Sequence, residues 1–450
     1  MKKFIVLLLF LFFPLNAYSK EITNVSKIKL NNEEISTKVI DNNEKTYISI
    51  KKNQSITIES QNNIKGLYLV YEVKGGKGIL SSGLLTTKFG DNAFLHDYID
   101  IEGLIGLSKS ITLKYAEDTS LTDIYVIGEG DIPSFVEIWN APVEKADLLL
   151  FTTHSDDEQL FFSGLLPNYV AKGANVQVVY FTHHSNNIIR YHEQLHGLYK
   201  VGIRNYPIIG PIPDAWASTL NAALNNLKKA GLSEKDAMTF EVEMIRRFKP
   251  LVVVGHDEKG EYGHGQHILC TYLLERAIDK ANDSSYDLDS YNKYGLWSTK
   301  KVYIHLYPKN QIIMDYDQPL EYFNGKTAFQ VSQEGFKCHI SQQYTWFKRW
   351  MNGENNEITK ASEITTYSPR EYGLFRSLVG PDKKKNNMFE NLLFYKDIVD
   401  EEAYFNQEVE ETINESPMEY NDAPTITQQL FLITVIVFSG IGILYLIRKI

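Results

Sequence analysis

Two periodicities divide this chain. From residue 20 to about 135, apolar and polar residues alternate in short runs: "KTYISI", "QSITIES", "KGLYLVYEV", "SITLKYA" and "TDIYVIGEG". Gly, Asn and Asp separate them. A period of two, punctuated in this way, predicts an all-β domain over 20–140 of sandwich or jelly-roll type. Such a module serves as a structural spacer or holds carbohydrate, and no sugar site is legible in it.

From about 145 the pattern changes. "ADLLLFTT", "NVQVVYFT" and "PLVVVG" are unbroken apolar runs, as in strands buried on both faces. Helical stretches lie between them: "EQLFFSGLLPNYVAKG", Tyr191 to about Val201, and "EKDAMTFEVEMIRRFK". Strands alternating with helices predict an α/β domain over 141–396 with a mostly parallel, Rossmann-like sheet. Between 280 and 395 the pattern is mixed, with "KVYIHLYP" read as a strand and "SQQYTWFKRWMNG" as a helix. Residues 397–427 are acidic and poor in core residues, which predicts a solvated stalk.

Both ends read as membrane-directed. Residues 1–19 combine two lysines, a short apolar stretch and small residues, the pattern of a secretory signal peptide. Residues 428–447 are long and apolar enough for a transmembrane helix, and 448–450 follow as a basic cytoplasmic tail. The expectation is a single-pass protein of the cell membrane, with its catalytic body outside and a membrane partner for its C-terminal helix. A net charge of -10 argues against nucleic acid as a partner. The two cysteines, Cys270 and Cys338, allow at most one disulfide and are expected as buried thiols.

Candidate chemistry sits at the ends of the apolar runs, where an open α/β sheet places its ligands. "TTHSDDE" follows "ADLLLF" and brings His154, Asp156, Asp157 and Glu158 together. Adjacent acids repel, and a divalent cation would relieve them. His154 and Asp157, three apart, suit a zinc-type ion, which takes about three protein ligands in a catalytic site. After "PLVVVG", the stretch "HDEKGEYGHGQH" offers His264 and His267 as further ligands, with His256 beside them. His183 and His184 end the second strand and are expected to line the same pocket. Trp216, Trp346 and Trp350 are suited to stacking on sugar rings, with core packing expected for at least two of them.

"HSDDE", then "RYHEQLHGLYKVGIRNYPI", then "GEYGHGQH" resembles the PIG-L / LmbE-like family of metal-dependent de-N-acetylases. The resemblance covers about 145 to 275. It implies a Rossmann-like fold, a zinc ion or another divalent metal, and hydrolysis of the acetamido group of N-acetylglucosamine-type sugars or extracellular glycans. It makes His154, Asp157 and His267 the metal ligands and Asp156 the general base. His264 becomes the group that steadies the oxyanion or protonates the leaving amine. Arg190 and Glu193 match the family's Arg-x-x-Glu, and Arg190 with His183 are the candidate substrate-binding residues. Ser155 stands where the family has proline, and Gly265-Gln266 where Pro-Asp is frequent. A glycan-binding protein that has lost catalysis, and another metal-dependent amidase or esterase, are the alternative functions.

Overall fold

In a computed structural model, which describes residues 21–91, 93–406 and 412–420, the alternating runs of the first part pair as antiparallel strands. They are β1 (Ser26–Leu30), β2 (Glu33–Glu34), β3 (Ile48–Ile50), β4 (Ser55–Ile64) and β5 (Gly66–Tyr71). β6 (Gly78–Ser82), β7 (Leu85–Phe89), β8 (His96–Asp100), a short helix α1 (Ile101–Ile105), β9 (Ser108–Tyr115) and β10 (Thr119–Ile127) follow. One sheet has the order β2-β1-β4-β9-β6-β7 and the other β3-β10-β5-β8. The alternation explains the packing. Ile56 and Ile58 of β4 and Ile111 and Leu113 of β9 meet Leu67 and Leu69 of β5 and Ile124 and Val126 of β10 in one buried cluster. Thr57 and Thr112, one step off that face, hydrogen-bond each other at 3.2 Å. Each buried aliphatic side chain stabilises by roughly 1.5–3 kcal/mol.

A second compact unit begins at Asn140, after the first ends at Trp139. Its elements begin with β11 (Leu148–Thr152), α2 (Leu165–Ala171), β12 (Val176–His183), α3 (Ile189–Lys200), β13 (Ile208–Pro213), α4 (Leu220–Lys229) and α5 (Glu234–Phe248). Then come β14 (Val252–Gly255), α6 (Gly265–Lys280), α7 (Leu288–Tyr294), β15 (Lys301–His305), β16 (Gln311–Ile313), α8 (Ala328–Cys338) and α9 (Trp346–Asn352). β17 (Glu371–Ser377), α10 (Glu401–Phe405) and β18 (Ile413–Asn414) complete it. The sheet order is β13-β12-β11-β14-β15-β17-β16, with β18 on β17. The first five strands run parallel, while β16, β17 and β18 pair antiparallel, so the sheet is mixed. Every residue of β11 is buried, as its unbroken apolar run requires. Leu149 and Phe151 pack with Val253 of β14, Ile245 and Phe248 of α5, and Leu269 and Leu273 of α6.

Several expectations are corrected. The helix read over "EQLFFSGLLPNYVAKG" is a series of turns until α2 starts at Leu165. Gly164 sets this break: its φ is 92°, and a Cβ there would lie 2.5 Å from the Tyr316 ring. The acidic segment expected to be a solvated stalk is partly folded onto the unit. Ile413 and Asn414 pair with β17, and Met418 and Tyr420 pack against the core. Its few apolar residues are spaced to reach the sheet edge, which net charge conceals. Among the described residues no helix is long and apolar enough to cross a membrane, so the expected cell-membrane localisation and membrane partner are not borne out there. The segments that carried it, 1–19 and 428–447, lie outside the described residues. Cys270 is buried as expected, whereas Cys338 is half-buried; both are free thiols.

Candidate active site

Five parallel strands end on one edge of the sheet, and a polar side chain follows each. β11 leads to His154, β12 to His184, β13 to Asp214 and β14 to His256, and β15 ends in His305. The loop after β11 is tight. The Asp157 carboxylate accepts the His154 backbone N–H at 2.7 Å and faces His154 Nδ1 at 3.2 Å. Within it Asp156 has φ 144°, a region that L-residues rarely adopt and that costs of order 1–3 kcal/mol. Glu158 helps to hold that conformation: its Oε2 accepts the Asp156 N–H at 3.0 Å, and its Oε1 faces His339 Nε2 at 3.0 Å.

The second loop supplies His264 and His267 at the start of α6. His264 is the N-cap residue, and its Nδ1 accepts the Gln266 N–H at 3.2 Å. Its proton therefore sits on Nε2. Burial first, and then His154 and His267, hold it well below the ordinary imidazole range, so it is a neutral donor. His267 Nδ1 donates to Glu261 Oε2 at 2.7 Å, which turns Nε2 to the cluster. For His154 the agent is Gln266. Its Oε1 accepts Ala215 N–H at 3.0 Å and its Nε2 donates to the Pro213 carbonyl at 2.9 Å, which fixes the amide. His154 Nε2 then donates to that Oε1 at 3.1 Å and leaves Nδ1 free.

These bonds aim three donor atoms at one point. His154 Nδ1 and His267 Nε2 are 3.1 Å apart, and each is 3.2 Å from Asp157 Oδ2. Tetrahedral coordination with bonds of about 2.0–2.1 Å separates ligand atoms by about 3.3–3.4 Å. The triangle is one face of such a tetrahedron, so the residues fit a small divalent cation. Two overlapping groups with ligand atoms within 4.8 Å of one another describe the same place: His154, His264 and His267, and Asp157, His256 and His267. All are nearly or wholly buried. Burial opposes charge on both partners, yet His267 and His154 hold Asp157 well below the usual carboxylate range. Against the same burial, Asp157 and Glu261 raise His267 to about 10.

Asp156 lies on the other side of the loop. Burial, reinforced by Asp157 and Glu158, raises it to about 6, with Arg190 acting in the opposite sense. Arg190 Nη2 lies 3.1 Å from its Oδ1 and also donates to the Ser155 carbonyl. Ser155 is used where the resemblance led to proline: its N–H donates to His184 Nε2 at 3.1 Å and its hydroxyl to the Arg190 carbonyl at 2.8 Å. Proline has neither donor.

Other expected residues are placed differently. The His183 ring accepts the Ser185 N–H at 3.4 Å, while His184 is the one that joins the site, through Ser155 and, at 3.0 Å, Asp214. Alternation at a strand end turns successive side chains to opposite sides. Glu193 holds the segment after α8, accepting Ser341 N–H at 2.7 Å and its hydroxyl at 2.6 Å. Trp216 and Trp346 are 56% and 43% exposed, against the expectation that at least two of the three tryptophans pack in the core.

Sequence reasoning missed Glu261, His305, His339 and Asp214. Glu261 is fully buried and collects His267, His256 at 2.8 Å and His305 at 2.6 Å. Thr153 N–H donates to His256 Nε2 at 3.0 Å, so the His256 proton is on Nδ1 and points at Glu261. His305 faces Glu261 through Nδ1 and the Ser368 carbonyl, which only accepts, through Nε2 at 2.9 Å. His305 and Asp214 obey the strand-end rule that found His154. Nothing in the sequence marks His339.

Residues 149–278 match the family model described as "PIG-L: GlcNAc-PI de-N-acetylase". A 1D-myo-inositol 2-acetamido-2-deoxy-alpha-D-glucopyranoside deacetylase of Geodermatophilus obscurus is 27% identical over 185 residues, 36% of this chain and 62% of the relative. The Mycobacteroides abscessus protein of that name is 29% identical over 157 residues, 30% of this chain and 56% of the relative. This chain thus spans less than two thirds of either relative. The N,N'-diacetylchitobiose deacetylase from Pyrococcus horikoshii shares 14% identity, with 52% of this chain and 84% of that one covered, at a TM-score of 0.37. Family match and strand-end cluster fall on the same stretch, and this chain carries a PIG-L (LmbE-like) domain at residues 149–278.

Proposed function

We propose that this protein is a metal-dependent hydrolase that removes acetyl from N-acetylglucosamine-type sugars, with zinc as the metal that the His-Asp-His donor set suits best. The observation that carries this reading is the triangle of His154 Nδ1, His267 Nε2 and Asp157 Oδ2, 3.1–3.2 Å on each side, with Asp156 next in the chain. The names of the relatives support the bond broken, since they are deacetylases of a 2-acetamido sugar.

A divalent cation held there would supply Lewis-acid polarisation of the amide carbonyl and would acidify water. The chain's own groups do the rest. Asp156, raised to about 6, is ionised at neutral pH yet basic enough to take a proton from the attacking water. Arg190 and Glu158 fix its position. His264, a neutral donor at Nε2, steadies the oxyanion, a contact worth roughly 3 kcal/mol in comparable sites. Of the two roles the resemblance gave His264, its neutral form favours this one, and the proton that Asp156 takes from water is returned by Asp156 to the leaving amine as the C–N bond breaks. Arg190 and the Asp214 side chain, a third exposed, are the groups we assign to substrate hydroxyls. The first unit is read as a sandwich-like accessory domain, supported by its two antiparallel sheets around one core.

The test is acetate release from methyl N-acetylglucosaminide by purified protein before chelation, after it, and after zinc is restored. Loss and recovery of acetate release are expected. Release that survives complete removal of metal would sink the proposal.

A further inference from the structure

Beside the donor cluster runs a shelf of aromatic rings. Trp216 follows Asp214 in the loop after β13, and its ring centroid is 4.6 Å from that of His264. Tyr262 stacks beside it, its ring nearly parallel at 14° and 6.1 Å away between centroids. Trp346, the first residue of α9, meets Tyr262 edge to face at 5.7 Å and 82°. Tyr262 is half-buried, but both tryptophans stand open to water. A tryptophan left more than two-fifths exposed forgoes a large share of its burial energy, so two on one shelf against the site need an explanation.

We infer that this shelf is a subsite for a second sugar ring, so that the substrate is an oligosaccharide in which the N-acetylated residue is extended by at least one further pyranose. The inference rests on the deacetylase reading and deepens it. A pyranose ring has a face of C–H bonds, which lies flat on an indole, and a rim of hydroxyls that stays in water. Half-open indoles suit that division. An acyl chain would instead require a closed apolar groove to remove both its sides from water. The rim also has a partner: Asp214, two residues before Trp216, keeps a third of its side chain exposed while its carboxylate faces His184 at 3.0 Å and Arg190 at 4.0 Å. This part-exposed carboxylate can accept hydroxyl protons. The shelf is anchored rather than loose. Glu193 grips Ser341, and His339 faces Glu158, so the segment leading to α9 is tied to the catalytic loop itself. Trp346 lies outside the stretch that matches the family model, so this part of the shelf belongs to the chain's own C-terminal part.

The experiment compares kcat/KM for acetate release from methyl N-acetylglucosaminide, from the β-1,4-linked disaccharide and trisaccharide of N-acetylglucosamine, and from an octyl N-acetylglucosaminide. The zinc-loaded full chain is run beside Trp216→Ala, Trp346→Ala and the double variant. The disaccharide should exceed the methyl glycoside by roughly ten-fold, and this ratio should fall towards one in the double variant. Equal values for the two in the wild type, or a ratio that the double variant leaves intact, would overturn the subsite. A larger gain for the octyl glycoside, lost in the same variants, would make the occupant an acyl chain and would overturn it too. Titration of tryptophan fluorescence with the same saccharides reads the shelf without turnover. Saturable quenching by the disaccharide that disappears in the double variant supports the subsite even where no acetate is released, a result that would count against the deacetylase reading alone. Absence of quenching overturns the subsite.

Discussion

His267 donates its Nδ1 proton to Glu261 at 2.7 Å, and this bond decides that Nε2 faces the Asp157 carboxylate. Glu261 receives His256 and His305 as well, so one buried carboxylate aligns three imidazoles behind the donor triangle. Glu261→Gln keeps the volume and removes the charge. Zinc affinity should fall about 10–100-fold, as for other partners of metal-bound histidines. Competition against a chromophoric chelator measures it, and an unchanged affinity would contradict the role given to Glu261.

His339 acts on the opposite flank. It faces Glu158, which holds the Asp156 N–H, and Asp156 sits at φ 144°. In His339→Ala the general base is released from its position while the donor triangle is untouched. We expect kcat to fall roughly ten- to a hundred-fold with metal content and KM little changed. His339→Gln, which retains a donor, should recover part of the loss. A variant that loses metal in step with activity would show that His339 supports the fold instead.

Away from the site, Lys301 and Asp382 form a buried ion pair, and the Tyr303 hydroxyl donates to Asp382 at 2.6 Å. Asp382→Ala leaves the ammonium, among the described residues, with the Glu390 carbonyl at 3.0 Å and the face of the Tyr303 ring at 5.2 Å. Removing one member of such a pair costs about 3–5 kcal/mol. Urea denaturation should show a loss of this size, and a change below about 1 kcal/mol would mean that water reaches Lys301 freely.

The folded part of the acidic tail is expected to respond to pH. Glu275 accepts the Met418 N–H at 2.6 Å; burial first, and then Glu258, raise this carboxyl to about 8, with Met418 opposing. The folded state therefore binds the proton more tightly than the unfolded chain. Its stabilising contribution is complete below the ordinary value of 4.5 and is lost as pH rises through about 8. Hydrogen exchange at Ile413–Tyr420, corrected for intrinsic rates, should show weaker protection at pH 9 than at pH 6. Glu275→Gln should remove the difference, and its persistence in that variant would rule Glu275 out as the cause.

The sheet and the reacting residues were legible for the same reason. Unbroken apolar runs mark parallel strands, and polar residues just past them mark the ligand edge, which is how His154, Asp157, His264 and His267 come into view. What stayed hidden depends on distance in sequence. His339 reaches Glu158 across 181 residues, and His305 reaches Glu261 across 44. No spacing rule reports such contacts. The break at Gly164 is not visible in the sequence because helical periodicity continues through it, and the cause is the Tyr316 ring. Likewise, the acidic composition of 397–427 predicts solvation, although the pairing of β18 with β17 and the packing of Met418 and Tyr420 pin part of it.

The proton chemistry assigned to Asp156 is the centre of this account, and Asp156→Asn tests it most directly. Zinc content and acetate release from methyl N-acetylglucosaminide are measured on the variant and the wild type together. The account predicts about one zinc per chain in both, with acetate release at least 100-fold lower in the variant. A zinc-loaded Asp156→Asn protein that releases acetate at the wild-type rate would contradict it.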